Sequence, residues 1–191
     1  MLVDFPIFGA GIKYFPTEVS ALRVFEPRYL LLIGDAIKDD KNFLVSKNLE
    51  DLHQTVSEVR VVDHQDISNA EQLIIVECVK VHKLKEISID SEYPFCKVEE
   101  FNDIGLPPSV DELETLQKNI SRLIAKLIED GINLEIPEFL VNYENRLNKL
   151  YELCILTPQD LNTRYSIIDE NDLYKKYEIL TRFVEKQLEN L

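Results

Sequence analysis

The 191-residue sequence has no tryptophan, one methionine, three histidines, three cysteines and five glycines. These scarcities exclude chemistry. Gly9, Gly11, Gly34, Gly105 and Gly131 never fall as GxxxxGKS, GxxxxGKT or GxGxxG, so ATP hydrolysis has no visible phosphate cradle. Cys78, Cys96 and Cys154 are odd in number and widely spaced, which suits reduced thiols in a cytosol rather than a disulfide framework. His53, His64 and His82 belong to no HExxH, and no CxxC is present. In Asp63-His64-Gln65-Asp66, adjacent ligands would point apart along an extended chain, so no metal and no cofactor is expected.

Long apolar runs are also missing: none approaches the roughly 18 to 20 residues that cross a bilayer. The start, MLVDFPIF, has neither a basic n-region nor a small-residue cleavage site, and a cytoplasmic protein is expected. Basic residues are short as well, 21 against 35 acidic for a net −14. Such a surface repels phosphate backbones and anionic lipid, and there is no cluster of Lys and Arg to offset it, so neither nucleic acid nor membrane is an expected partner. Residues 86–112 hold eight acidic residues and one basic residue, Lys97, which reads as a solvated surface.

The chain is nonetheless 45% apolar, and its length suffices for a real core. The densest set of constraints lies at residues 14–29, YFPTEVSALRVFEPRY. Tyr14, Phe15, Val19, Ala21, Leu22, Val24 and Phe25 are interrupted by Glu18, Ser20 and Arg23 at a mostly two-residue rhythm, which predicts a half-buried strand. Pro16 marks a turn before it. Pro27 locks φ near the helical value and lacks an N–H that a helix start would leave unpaired anyway, so a helix over residues 27–38 should follow, burying Leu30, Ile33, Ala36 and Ile37. Phe8, Tyr14 and Phe15 read as core, although aromatics near turns also form exposed patches.

Further strands are predicted around Phe43, Leu44 and Val45, over residues 56–62, over 73–84 and over 95–101. The polar stretch 63–72 should separate the second and third of these, and 73–84 reads as a strand leaving a buried core toward an edge. NDIGLPPS then marks a boundary between a mainly β part and a helical part. Ser109 and Glu112 form a capping box before a helix with Leu113, Leu116, Ile120, Leu123 and Leu127, widened by Ile124 and Ile128 and ended by Gly131. Pro137 should open a second helix with Leu140, Tyr143, Leu147, Leu150 and Cys154 as its stripe, which makes Cys154 a core thiol. Thr157 should cap a third, and Asp169 or Asn171 a fourth carrying Leu173, Tyr177, Leu180, Val184 and Leu188.

Pro6, Phe8, Phe15, Pro16, Phe25, Glu26, Pro27, Arg28, Tyr29 and Phe43 stand where the N-terminal, substrate-binding domain of the Lon protease family has its apolar-Pro-Leu-Phe start, its FPG turn, its FEPRY junction and its following strand. The run resembles the free-standing bacterial form of that domain, and residues 147–185 resemble its helical tail. Departures are visible. Thr17 replaces the turn glycine, Val56 and Ser57 replace a Gly-Thr pair, and Cys78, Val81 and His82 stand for the Gly, Arg and Phe of a Gly-x-x-Arg-Phe motif, while Val59, Arg60, Val61, Val62 and Asp63 are kept.

The expected fold is α+β: a curved β pseudobarrel over residues 1–104, PUA-like by the resemblance, followed by a C-terminal helical bundle over 105–191. The resemblance implies a non-catalytic protein that binds polypeptide or a protein partner, an adaptor or chaperone-like factor. Phe25, Glu26, Arg28 and Tyr29 are the candidate binding residues. Architecture explains the same residues, with Glu26 capping the helix and Arg28 bonding nearby carbonyls. A small-molecule or nucleotide sensor using a pocket in the β module is the alternative. An RNA-binding module, which the PUA relation implies, is opposed by the net charge. Oligomeric state is left open. The family's ATPase and serine-lysine protease domains have no counterpart in these residues, so the purified protein should hydrolyse neither ATP nor peptides. Peptidase activity that survives several columns and disappears on a point mutation in this chain would overturn this.

Overall fold

The computed structural model describes residues 2–128 and 140–190, which form six strands and five helices. Two compact units result, Met1–Asn102 and Asp103–Leu191. The first contains β1 (Val3–Gly9), β2 (Val19–Val24), α1 (Pro27–Asp39), β3 (Phe43–Ser46), β4 (Thr55–Ser68), β5 (Glu71–Ser88) and β6 (Phe95–Glu100). The sheet order is β2-β5-β4-β3-β1-β6, with β1 and β3 parallel and the other pairs antiparallel. A second pairing of β6, with β5, closes β1, β3, β4, β5 and β6 into a ring. One side of β5 carries β4, and the other carries β2 at residues 72–77 and β6 at 82–88.

The polar stretch 63–72 is therefore no separator. β4 runs on to Ser68, a two-residue turn at Asn69 and Ala70 reverses the chain, and β5 begins at Glu71. Backbone pairing holds this ribbon together whatever its side chains, and bulges at 58/59, 61/63 and 66/68 break the side-chain alternation. β5 has strand neighbours on both sides at residues 72–77 and 82–83, and beyond Lys83 it pairs with β6 alone.

Alternation along β1 and β3 builds two cores. Phe8, Phe43 and Val45 join Tyr14, Leu22, Val24, Val59, Ile74 and Val76 in one cluster, while Ile7 and Leu44 join Val56, Leu84, Cys96 and Val98 in another. All four β3 residues are buried as a result. Helix α1 covers the first cluster with Tyr29, Leu32, Ile33 and Ala36. The face is rotated from the expected one, since Tyr29 and Leu32 are its centre while Leu30 and Ile37 pack only at its margin.

The second unit contains α2 (Val110–Leu127), α3 (Arg146–Leu156), α4 (Leu161–Asp169) and α5 (Leu173–Glu189). The capping box is present: the Ser109 hydroxyl accepts the Glu112 N–H, and the Glu112 carboxylate accepts the Ser109 N–H at 2.8 Å. Leu113, Leu116, Ile120 and Leu123 are buried, but α2 ends at Leu127, which is half exposed, and the backbone turns extended at Ile128. Gly131 and Pro137 lie outside the described residues. Helix α3 begins later than expected because Asn142 and Asn145 cap each other's backbone: Asn142 Oδ1 accepts the Glu144 and Asn145 N–H groups, and Asn145 Oδ1 accepts the Asn142 N–H. Leu140 and Tyr143, at 81% and 75% exposure, are therefore not part of a buried stripe, whereas Leu150 and Cys154 are buried.

Two caps also move. Thr157 closes α3, its hydroxyl donating to the Leu153 carbonyl at 2.7 Å, and Asp160 caps α4 by accepting the Thr163 N–H. Asp172, rather than Asp169 or Asn171, caps α5 through the Tyr174 and Lys175 N–H groups. Asp103 and Ile104 are tied into this unit, Ile104 by backbone bonds with Asn171 and Leu173, and Asp103 by the Tyr151 hydroxyl and the buried Lys176 ammonium. Desolvation lowers the pKa of Lys176, and Asp103 opposes that shift.

The substituted turn glycine has a structural cost. Phe15-Pro16-Thr17-Glu18 closes with the Glu18 N–H on the Phe15 carbonyl, and Thr17 has φ +70°. Proline second and a positive φ third is the pattern of a type II turn, which wants glycine in the third place. A β-branched residue there costs about 1–2 kcal/mol, partly offset by the greater unfolded-state freedom of glycine. Thr17→Gly should therefore raise stability by about 0.5–1 kcal/mol, read from the urea midpoint, and a lower midpoint would show that the turn does not need glycine.

Candidate functional site

The junction between β2 and α1 separates its four candidate residues by exposure. Phe25 is 63% exposed. Glu26 is the N-cap residue of α1, its carbonyl accepting the Tyr29 and Leu30 N–H groups, but its carboxylate does not cap. That carboxylate instead accepts from Arg28, at 3.2 Å from Nε and 3.1 Å from the second guanidinium nitrogen, and the guanidinium lies 4.6 Å from the centre of the Tyr29 ring. Both partners are about half exposed, so this pair orients Arg28 more than it stabilises the fold. Tyr29 is buried, 4.2 Å from the Phe8 ring centre, and its hydroxyl accepts the Gly9 N–H. Phe8, Tyr14 and Phe15 are likewise buried. The junction thus offers an apolar ring and a fixed charge pair to solvent, on a tyrosine base that belongs to the core.

Apolar side chains, some exposed and some half-buried, also lie on the outer face of the adjoining ribbon. Even-numbered Leu22 and Val24 of β2 and Ile74, Val76 and Cys78 of β5 are buried, so odd-numbered Val19, Ala21 and Val79, with half-buried Leu73 and Ile75, share the outer face with Arg23 and Glu77. Glu77, opposite Val19, and Arg23, opposite Leu73, interrupt this stripe and are paired with Arg60 and Glu71. Nothing in hydrophobic content alone distinguishes Phe25 from Tyr29; the signal was the phase of α1.

The residues that depart from the family pattern carry structure. The Ser57 hydroxyl accepts the Tyr14 N–H at 2.8 Å and donates to the Tyr14 carbonyl at 2.9 Å, pinning the segment before the turn. Cys78 meets that turn from β5, its N–H on the Glu18 carbonyl and its carbonyl accepting from Thr17. Burial pushes the Cys78 and Cys96 thiols up to about 12, which disfavours a thiolate at either, and all three cysteines are buried. Val81 is buried. His82 is buried against Phe5, and its Nε2 meets the Glu58 carboxylate at 2.6 Å, with Asn42 donating to the other oxygen. Among the described residues no group of three or more His, Cys, Asp or Glu could hold a metal, and no helix is long and apolar enough to cross a membrane.

A cleft of about 350 Å³ lies between β1 and α1, with Pro6, Tyr93 and Phe95 as apolar walls and Asp4, Asp35 and Asp39 at its edge. The Tyr93 hydroxyl donates to Asp35 at 2.9 Å, and burial together with that carboxylate raises the pKa of Tyr93. Lys41 also lines the cleft and pairs with Asp39 at 3.1 Å, so three carboxylates against one ammonium leave it net negative, which disfavours phosphate.

Residues 6–186 match the family model described as the ATP-dependent protease La (LON) substrate-binding domain. The chain belongs to that family. Two solved structures share the fold of this LON-domain protein: a Lon N-terminal domain protein from Xanthomonas campestris and the N-terminal domain of Mycobacterium avium complex Lon protease. The first has a TM-score of 0.68 at 21% identity, covering 95% of this chain and 98% of that one. The second has a TM-score of 0.68 at 14% identity, covering 96% and 98%. Identities this low speak for the fold alone. No curated protein matches the sequence significantly.

The Glu58 carboxyl in the barrel wall gives the fold a pH dependence of definite sign. The hydrogen bond from His82 holds the Glu58 carboxyl below its ordinary value of 4.5, against burial, with help from Asn42. A depressed carboxyl contributes stability above its unfolded pKa and loses it as pH falls through the folded one. Glu58→Gln should therefore cost about 1–2 kcal/mol at pH 7. That gap should shrink as pH drops below 4.5. Denaturant melts at pH 7 and pH 3.5 check this, and a gap that is equal at both would remove the linkage.

Proposed function

We propose that this chain is a non-catalytic polypeptide-binding protein of the cytoplasm, acting as an adaptor or chaperone-like factor. The β module is its recognition domain, and the helical unit is a second domain. The observation that carries this reading is Phe25, held 63% exposed at a rigid strand-to-helix junction beside an apolar sheet face. A large ring in water at the end of a well-packed element is an inexpensive anchor for unfolded chain, because no loop must be ordered to use it. Glu26 and Arg28 add a charge pair of fixed orientation, and Tyr29 supports Arg28 from the core. Membership of a substrate-binding family points the same way.

A small-molecule sensor is the second reading, favoured by the cleft beside Tyr93 and Phe95; its Asp4, Asp35 and Asp39 would accept an amine and reject a nucleotide. Calorimetry with a panel of amines and nucleotides separates the two readings.

A reduced, alkylated and fluorescently labelled unfolded protein should bind at moderate salt with weak to moderate affinity. Phe25→Ser should weaken binding roughly tenfold, the worth of one buried aromatic side chain, with the melting temperature unchanged. RNA should give no shift. Tight RNA binding that weakens steeply with salt would overturn the reading, as would failure of several unfolded proteins to bind.

A further inference from the structure

We propose that the outer edge of β2 takes up an extended polypeptide segment by strand addition, so that recognition runs through the substrate's main chain. This rests on the polypeptide-binding reading and names its mode and its occupant: an apolar, neutral-to-basic segment in extended conformation. β2 is the terminal strand of the sheet and pairs only with β5. The Cys78 N–H donates to the Glu18 carbonyl at 2.8 Å, and antiparallel alternation from that bond directs the main-chain groups of Ser20, Leu22 and Val24 at β5. The N–H and C=O groups of Val19, Ala21 and Arg23 therefore face away from it, and among the described residues no strand pairs with them.

Natural edges are normally guarded by proline, lysine, a bulge or a covering element. β2 has no proline, no lysine and no register shift against β5. Its one charge, Arg23, is engaged by Glu71. Val19 is 59% exposed, and beside the open edge lies the apolar stripe of the ribbon, with Phe25 at its end. Three outward N–H and C=O pairs fit another extended backbone better than a helix or a compact small molecule, and the apolar stripe would receive alternate side chains of that strand. The net charge of −14 selects against acidic segments.

The test uses the full chain and three fluorescein-labelled probes: the unfolded protein, a twelve-residue peptide of alternating valine and threonine flanked by lysines, and the same peptide with its six central amides N-methylated. The parent peptide should bind and compete with the unfolded protein, and N-methylation should weaken it roughly tenfold or more, since it removes several main-chain bonds. Ala21→Pro blocks an outward N–H where an edge strand tolerates proline and should weaken both ligands equally, while Ile89→Lys, an exposed change away from β2, should not. Hydrogen exchange should show Val19, Ala21 and Arg23 amides gaining protection on binding.

Equal affinity for the two peptides overturns the proposal without any variant having to fold. Unfolded-protein binding that Ala21→Pro leaves intact overturns it while leaving polypeptide recognition standing. A dimer that Ala21→Pro dissociates, with peptide affinity unchanged, makes a second copy the occupant and also overturns it. No binding of any unfolded probe sinks both readings together.

Discussion

The β5 ladder is the constraint on which the first unit depends. One 18-residue strand holds β4 along one side and, along the other, β2 and then β6. Because β6 also pairs with β1, the sheet meets itself, although β4 beyond Val59 has β5 as its one strand neighbour among the described residues. Closure makes β1 and β3 two-faced, so that one residue of each alternating pair feeds each core. β2 is what closure leaves over: it shares β5 with β6 and cannot enter the ring. The strand that hands the chain to α1 is therefore also one with an open side along its whole length.

The departures from the family pattern are compensated locally, at the place where the chain enters β2. Thr17 keeps the backbone of the glycine it replaces, including the main-chain N–H that donates to the Cys78 carbonyl. Ser57 retains a hydroxyl that pins Tyr14, and the odd histidine of β5 finds Glu58 and, through it, Asn42. Ser57 and His82 Nε2 thus find partners, as burial demands, while the buried His82 Nδ1 has none. The acidic surface is matched in the same way along β5 and β6, where Lys80, Lys85 and Lys97 face Glu100, Glu99 and Glu86. What remains unpaired in net charge acts at a distance, on partners rather than on the fold.

The sequence alone determined the features that rest on short-range chemistry. Pro27 after an alternating strand set the start of α1, Ser109 and Glu112 set the start of α2, and the spacing of Leu113, Leu116, Ile120 and Leu123 set its buried face. FEPRY placed the junction. In each case the deciding partners lie within a few residues, so local propensity and tertiary structure cannot disagree by much.

Tertiary structure decided what depends on partners far along the chain. Polar residues 63–72 became strand because β4 and β5 supply each other's hydrogen bonds, a term to which side-chain hydropathy is blind. Which aromatic at the junction faces water was settled by the rotation of α1 onto Phe8, which buries Tyr29 and leaves Phe25 outside. Asn142 and Asn145 moved the start of α3 past an apolar stripe that periodicity alone had made credible. The open side of β2 had no signature in its own six residues, because an edge is defined by the strand that is missing, and only the pairing of β5 with β6 shows which strand that is.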